Sequence, residues 1–272
     1  MAKRNRSITP RLQAKRRKEG RGTGTGKDYK PELRIQDVSS VGLATRVLGW
    51  TTGRIHHLMS KLELMVFYTF DWPDAVVDIR EQFPLDIEET QAIAAELRIR
   101  HPRDVKTKEL VTMTTDFLIT VRNGIQEVVY AYTVKYGKAL SSRRVMQKFE
   151  IERIYWTRRN VGWAITTELD VDVAFVANVQ WVHFYRRLSS LAPLNESAVR
   201  RIEAFLAPHV YAQQAPLREL TNQSDSELSL APGTSLSVVR HLIATRRFEV
   251  DMKIPIQPET ILALTAKPRL LE

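Results

Sequence analysis

Two runs rich in β-branched and aromatic residues flank the polar pair Asn123-Gly124 within Met113–Lys135, MTTDFLITVRNGIQEVVYAYTVK. Asn-Gly tolerates positive φ, so this pattern predicts a β-hairpin with those two residues as the turn. Arg122 then pairs with Ile125, Asp116 lies opposite Ala131, and Thr133 and Lys135 share the face of Asp116. A second pattern precedes it. Ser60 and Glu63 have the spacing of a capping box ahead of Leu62, Met65, Val66 and Tyr68–Phe70, which predicts a buried helix ending near Trp72-Pro73. Between these two, residues 75–85 (AVVDIREQFPL) predict a short strand and residues 88–99 a polar helix with Ile93 and Leu97 on one face. Arg80 and Glu81 in that strand fit a salt-linked edge better than a contact to phosphate or metal. After the hairpin, a helix capped by Ser141 or Ser142 extends to about Arg159, with Val145, Phe149, Ile151 and Tyr155 inward and a charged outer face that includes Glu150 and Glu152. Val161–Thr167 predicts a further strand. Such an order describes an α/β domain, a mixed sheet with helices on its faces.

Beyond Asp170 the pattern is mainly helical: residues 171–188, 196–207 and 235–247, with a polar break at Asn222–Ser229 and a strand at Phe248–Ile256. Helices leading into a strand suggest a winged-helix-like unit. The domain reading is therefore an N-terminal arm over residues 1–30, an α/β domain over 31–169 and a C-terminal domain over 170–272.

Charge changes the picture most at the start of the chain. The net charge is +10, and residues 1–30 hold eleven Lys or Arg against Glu19 and Asp28 alone, which accounts for +9 of it. A flexible basic arm of this kind fits phosphate contacts to DNA, with Lys15, Arg16, Arg17, Lys18 and Arg21 as the densest cluster, although a solubilising tail has the same composition. Gly20–Gly26, GRGTGTG, reads as its flexible joint. The chain has 272 residues and no cysteine, so disulfides and thiolate metal sites are excluded. No apolar run reaches the roughly 18 residues that span a bilayer, and no apolar segment of a secretory signal follows the basic start, so the expectation is a cytoplasmic protein with no membrane partner.

Glu63, Asp116, Thr133 and Lys135 form the candidate chemistry. Two carboxylates are hard oxygen ligands for Mg²⁺, and the Val134 carbonyl can add a third. A lysine ammonium beside metal-bound water suits phosphodiester hydrolysis. Spacing alone leaves structural roles open for Asp116 and Lys135, and Glu63 has a sufficient explanation as a cap partner. His56 and His57, being adjacent, point apart and suit hydrogen bonding better than metal ligation.

The runs GRIHHLMSKLEL, VDIREQFPL, TTDFLITV and EIERIYW, with GRGTGTGKDY at Gly20–Tyr29, occur in an order that resembles the TnsA family, the endonuclease subunits of heteromeric cut-and-paste transposons. The likeness in specific motifs spans Gly20 to about Thr167. It implies a restriction-endonuclease-like catalytic domain followed by a winged-helix-like domain, and cleavage at the 5′ ends of the transposon. It also implies Glu63 and Asp116 as ligands for Mg²⁺, with Mn²⁺ as a substitute, and Lys135 as the catalytic lysine. The implied partners are double-stranded DNA at transposon ends, a DDE-type transposase, and an ATPase regulator reached through the C-terminal domain. The family often has Gln two residues before the lysine, where this chain has Thr133. That departure keeps an alternative in view: a weak or inactive DNA-binding module that links the transposase and the regulator.

Overall fold

The computed structural model describes residues 7–38 and 43–265. Two compact units meet at the step from Val171 to Asp172.

In the first unit, α1 (Pro10–Lys18) starts where the Thr9 hydroxyl accepts the Leu12 N–H at 3.1 Å and Pro10 takes the first helical position. A two-stranded ribbon follows, β1 (Thr45–Leu48) antiparallel to β2 (Ile55–Leu58), then α2 (Lys61–Asp71). The main sheet has the order β3 (Val76–Pro84), β4 (Thr114–Asn123), β5 (Gln126–Val134), β6 (Gly162–Thr166). Its first three strands are antiparallel, and β6 runs parallel to β5 because α4 (Arg143–Thr157) carries the chain back. Helix α3 (Ile87–Glu96) joins α4 on one face, where Leu85, Ile93, Met113, Leu118, Ala131, Ile151 and Trp156 form a core. The other face packs on α2, whose Phe70 ring lies 5.6 Å from Phe117 and 4.9 Å from Tyr132. This is the mixed α/β architecture, a sheet with helices on both faces.

Three expectations are corrected in this unit. The basic segment is not a flexible arm over residues 7–30: Arg16 is only 5% exposed and pairs with Glu32 at 3.0 Å, while Arg21 pairs with Asp37 at 2.5 Å and Glu19 at 2.8 Å. The pairs to Glu32 and Asp37, each sixteen residues apart, tie the segment to the chain just after it; residues 1–6 lie outside the described residues. Gly20–Gly26 is an ordered turn, not a joint. Gly22 has φ +77°, and a Cβ there would collide with the Pro84 ring. The hairpin register is offset by two residues, since Asn123 pairs with Gln126 and Phe117 with Tyr132. Gly124, at φ +63°, takes the first central turn position and Ile125 the second, the arrangement of a type II′ turn.

The second unit holds α5 (Val173–His183), α6 (Glu196–Tyr211), α7 (Leu217–Glu227) and α8 (Thr234–Ala244). Helix α7 replaces the expected polar break. Its buried positions include Leu217, Leu220, Thr221, Ser224 and Asp225, and the Asp225 carboxylate accepts the Gly233 and Ser235 N–H groups at 2.7 and 2.8 Å. Residues 248–256 form no strand beyond a single bridge between Val250 and Leu264. The Asn178 side chain holds this stretch instead, donating to the Met252 and Ile254 carbonyls and accepting the Ile256 N–H. Among the described residues no helix is long and apolar enough to cross a membrane.

Candidate active site

Glu63 enters the site as part of a helix start. The Ser60 hydroxyl accepts the Glu63 N–H at 3.1 Å and donates to Glu63 Oε1 at 2.9 Å, while Oε2 accepts the Met59 N–H at 2.8 Å. Glu63 thus takes the Met59 N–H in place of the Ser60 N–H of a full capping box, and the carboxylate is buried at 7% exposure with its pKa pushed up to about 8, first by burial and then by the charge of Asp116. Asp116 is likewise raised by burial. The Lys135 ammonium opposes both shifts and is itself exposed. Thus α2, β4 and the residue after β5 bring Glu63, Asp116 and Lys135 into one electrostatic group.

The placement of Asp116 depends on a break in strand alternation. Glu81 and Phe117 both face the α2 side, where Glu81 meets His56 and Phe117 meets Phe70. Phe83 and Thr115, two residues away in each strand, face α4 and meet Trp156. Gln82, at φ +49°, makes the break in β3. Its amide Nε2 donates to Asp116 Oδ1 at 3.1 Å, and Val134 N donates to Asp116 Oδ2 at 2.7 Å. That last bond sets the end of β5 against the carboxylate and leaves Lys135 one residue beyond it.

Thr133 is not in this group. Its side chain faces α4, where the hydroxyl donates to Glu152 Oε1 at 2.5 Å and accepts the Trp163 indole N–H at 3.2 Å. Thr115 donates to the same Glu152 oxygen at 2.6 Å and accepts the Trp156 indole N–H at 2.7 Å. Glu152, expected on a solvated face, is 3% exposed, and burial raises its pKa to about 7. Sequence reasoning missed both Glu152 and Gln82. Glu152 had a signal: with Phe149, Tyr155 and Trp156 it lies on the buried stripe of α4 at helical spacing. Gln82 had none, since its role follows from a backbone conformation.

Glu81 belongs elsewhere. It is fully buried, bonded to Arg54 through both carboxylate oxygens and to His56 Nδ1 at 2.8 Å, and these partners hold it well below the usual carboxylate range despite its burial. His56 Nε2 meets the Thr52 hydroxyl at 2.8 Å, so this histidine is a hydrogen-bonding residue. Arg80 pairs with Asp78 at 3.2 Å. Of the residues expected to contact DNA, Lys15, Arg17 and Lys18 are exposed, whereas Arg16 and Arg21 are spent in internal ion pairs.

Among the described residues no cluster of three or more His, Asp or Glu is arranged to hold a metal. The pair Glu63 and Asp116 still fits a divalent cation. Both carboxylates are buried, the Asp116 charge raises the proton affinity of Glu63, and each oxygen that accepts one hydrogen bond retains a lone pair.

Residues 73–168 match the family model described as TnsA-like endonuclease N terminal, a span that includes Asp116, Lys135 and Glu152. Residues 170–252 match the model described as TnsA endonuclease C terminal. The chain is 37% identical over 248 residues to the Transposon Tn7 transposition protein TnsA of Escherichia coli, covering 90% of this chain and 87% of that protein. With both family regions present in order and the likeness running through nearly the whole length, this chain belongs to the TnsA endonuclease family.

Proposed function

We propose that the chain is the metal-dependent DNA endonuclease subunit of a heteromeric transposase, cleaving at the 5′ ends of the transposon in the cytoplasm. The observation that carries this reading is the convergence of Glu63, Asp116 and Lys135 from three separate elements. Glu63 and Asp116 would hold Mg²⁺ or Mn²⁺, with the Val134 carbonyl as a third ligand; the cation supplies Lewis acidity and a more acidic water. Gln82 and the Val134 N–H orient the Asp116 carboxylate, and the Ser60 and Met59 contacts orient Glu63. The Lys135 ammonium, exposed beside the pair, meets negative charge that builds on the phosphate. The exposed Lys15, Arg17 and Lys18 of α1 supply backbone contacts to double-stranded DNA. The proposed protein partners are a DDE-type transposase and an ATPase regulator, the latter bound by the unit that starts at Asp172.

Strand-specific cleavage of labelled transposon-end DNA in Mg²⁺, with the cognate transposase and regulator, tests this reading. Nicks at the 5′ ends with the wild-type chain, absent with D116A, are the expected result. One observation favours a second reading. Because Thr133 is turned onto Glu152, the site has two carboxylates and no third side-chain ligand from β5. Transposase cuts at the 3′ ends with no 5′ nick from the wild-type chain would make this subunit a binding module that links transposase and regulator.

A further inference from the structure

A cleft of about 420 Å³ opens beside the β1–β2 ribbon, lined by Lys27, Lys30, Arg34, Arg46, Arg54 and His57 among others. Among the described residues no acidic side chain lines it, and none of Lys27, Lys30, Arg34 and Arg46 has an ion-pair partner. These cations stand on fixed supports. The Gly26 N–H donates to Asp78 Oδ1 at 3.1 Å, and Tyr29, 3% exposed, donates its hydroxyl to the Glu81 carbonyl at 3.1 Å. Lys27 and Lys30 each directly follow one of these anchors. Arg54, 9% exposed, spends its terminal nitrogens on Glu81 and the Ile79 carbonyl, but its buried Nε–H has no partner among the described residues. A buried, charged donor left unpaired costs about 1–3 kcal/mol unless a ligand accepts from it.

The geometry points to a phosphate-binding cleft for the backbone of duplex DNA, in addition to the metal-binding pair; this rests on the reading of the chain as a DNA endonuclease. The cations come from three elements along an open groove, which suits successive phosphates of one strand better than a single small anion. The cleft is also close in the chain to the candidate site. Ile55 and His57 lie on β2, and Met59, just past its end, is the residue whose N–H holds Glu63. Four residues of strand span about 13 Å, or about four base-pair steps. The β2 end of the cleft thus lies within about four base-pair steps of the start of α2.

The test is binding of a fluorescent transposon-end duplex by the full chain in EDTA, where no cutting occurs, over a series of salt concentrations. Lys27 and Arg46 are exposed and support no other described side chain, so K27Q/R46Q retains the fold. It is expected to bind at least tenfold more weakly at about 50 mM salt, with the slope of log K against log salt reduced by about 2. Should the double variant melt early, R46Q alone carries the test with a reduction of about 1. An unchanged slope overturns the cleft, as does failure of the wild-type chain to bind the duplex at that salt. A third overturning result is tight binding of pyrophosphate or ATP that the variant loses while its duplex slope is unaltered, because the cleft then serves a small anion. The cleavage assay answers separately. A chain that binds DNA in this way but never nicks it defeats the nuclease reading alone, and one that nicks with an unchanged slope in the variant defeats the cleft alone.

Discussion

Glu81 and Glu63 are both buried glutamates on neighbouring elements of one domain, and the protein treats them in opposite ways. Glu81 on β3 is met by the Arg54 guanidinium and His56, so it stays ionised well below the usual range. Glu63 on α2 is met by a second carboxylate, Asp116, with the compensating Lys135 out at the surface, and its proton is held up to about pH 8. Burial is the first cause in both cases; the partners decide the sign. A carboxylate supplied with its own counter-charge is finished as structure. One left facing another carboxylate keeps the capacity for a cation, the role proposed for Glu63. Depth of burial therefore does not separate these two glutamates, whereas the charge of their partners does.

The largest effect is expected on the unpaired side. D116N removes charge from the proposed cation site and is expected to cut 5′-end nicking by at least ~10³-fold, about 4 kcal/mol of transition-state stabilisation. Its melting temperature in EDTA should fall less than that of E81Q, because the asparagine oxygen keeps one of the two hydrogen bonds that Asp116 accepts and no buried cation is left unpaired. Retained nicking would remove Asp116 from the chemistry. On the paired side the balance reverses. E81Q leaves the Arg54 charge buried without its carboxylate and is expected to lower stability by about 3 kcal/mol in denaturant unfolding. Wild-type stability in E81Q would collapse the contrast between the two glutamates.

How far this contrast could be read from the sequence follows from what is local. The start of α2 was legible down to the Ser60–Glu63 contact because a capping box spans four residues, and β3, β4, β5, α4 and β6 followed from periodicity and turn chemistry. The face of Asp116 was named on an assumed regular alternation and an incorrect register. The structure reaches a similar grouping with Lys135 by another route, the break at Gln82, while Thr133 lies on the far face against Glu152. Helix α1 was illegible because it lacks an apolar stripe and is held by Arg16 to Glu32, a pair sixteen residues apart. Helix α7 was hidden by its small polar residues, whose burial depends on α8. The partner of a buried charge is a tertiary fact, so the sequence showed where the carboxylates are but not which of them lack a counter-charge.

Glu152 supplies the smallest and most discriminating test, since it is buried without a cation and yet lies outside the Glu63–Asp116 pair. Thr115 and Thr133 donate to one of its oxygens, which lowers its pKa, but burial and the Asp116 charge outweigh them and the value reaches about 7. The folded chain thus holds this proton more tightly than the unfolded chain, where glutamate titrates near 4.3. The stability it contributes is fully present below about pH 4.3 and is lost as pH rises through about 7. Glu81 has the opposite slope: its contribution is present above the unfolded pKa and is lost only as pH falls toward its depressed folded value. Glutamine at position 152 is neutral at every pH and keeps an oxygen for both threonine hydroxyls. In EDTA, E152Q is therefore expected to match the wild type near pH 5 and to become relatively more stable toward pH 7, by about 2 kcal/mol. A stability difference that stays flat across that range would mean that Glu152 is ionised in the folded chain at pH 5, and would place it with Glu81 among the carboxylates the fold already satisfies.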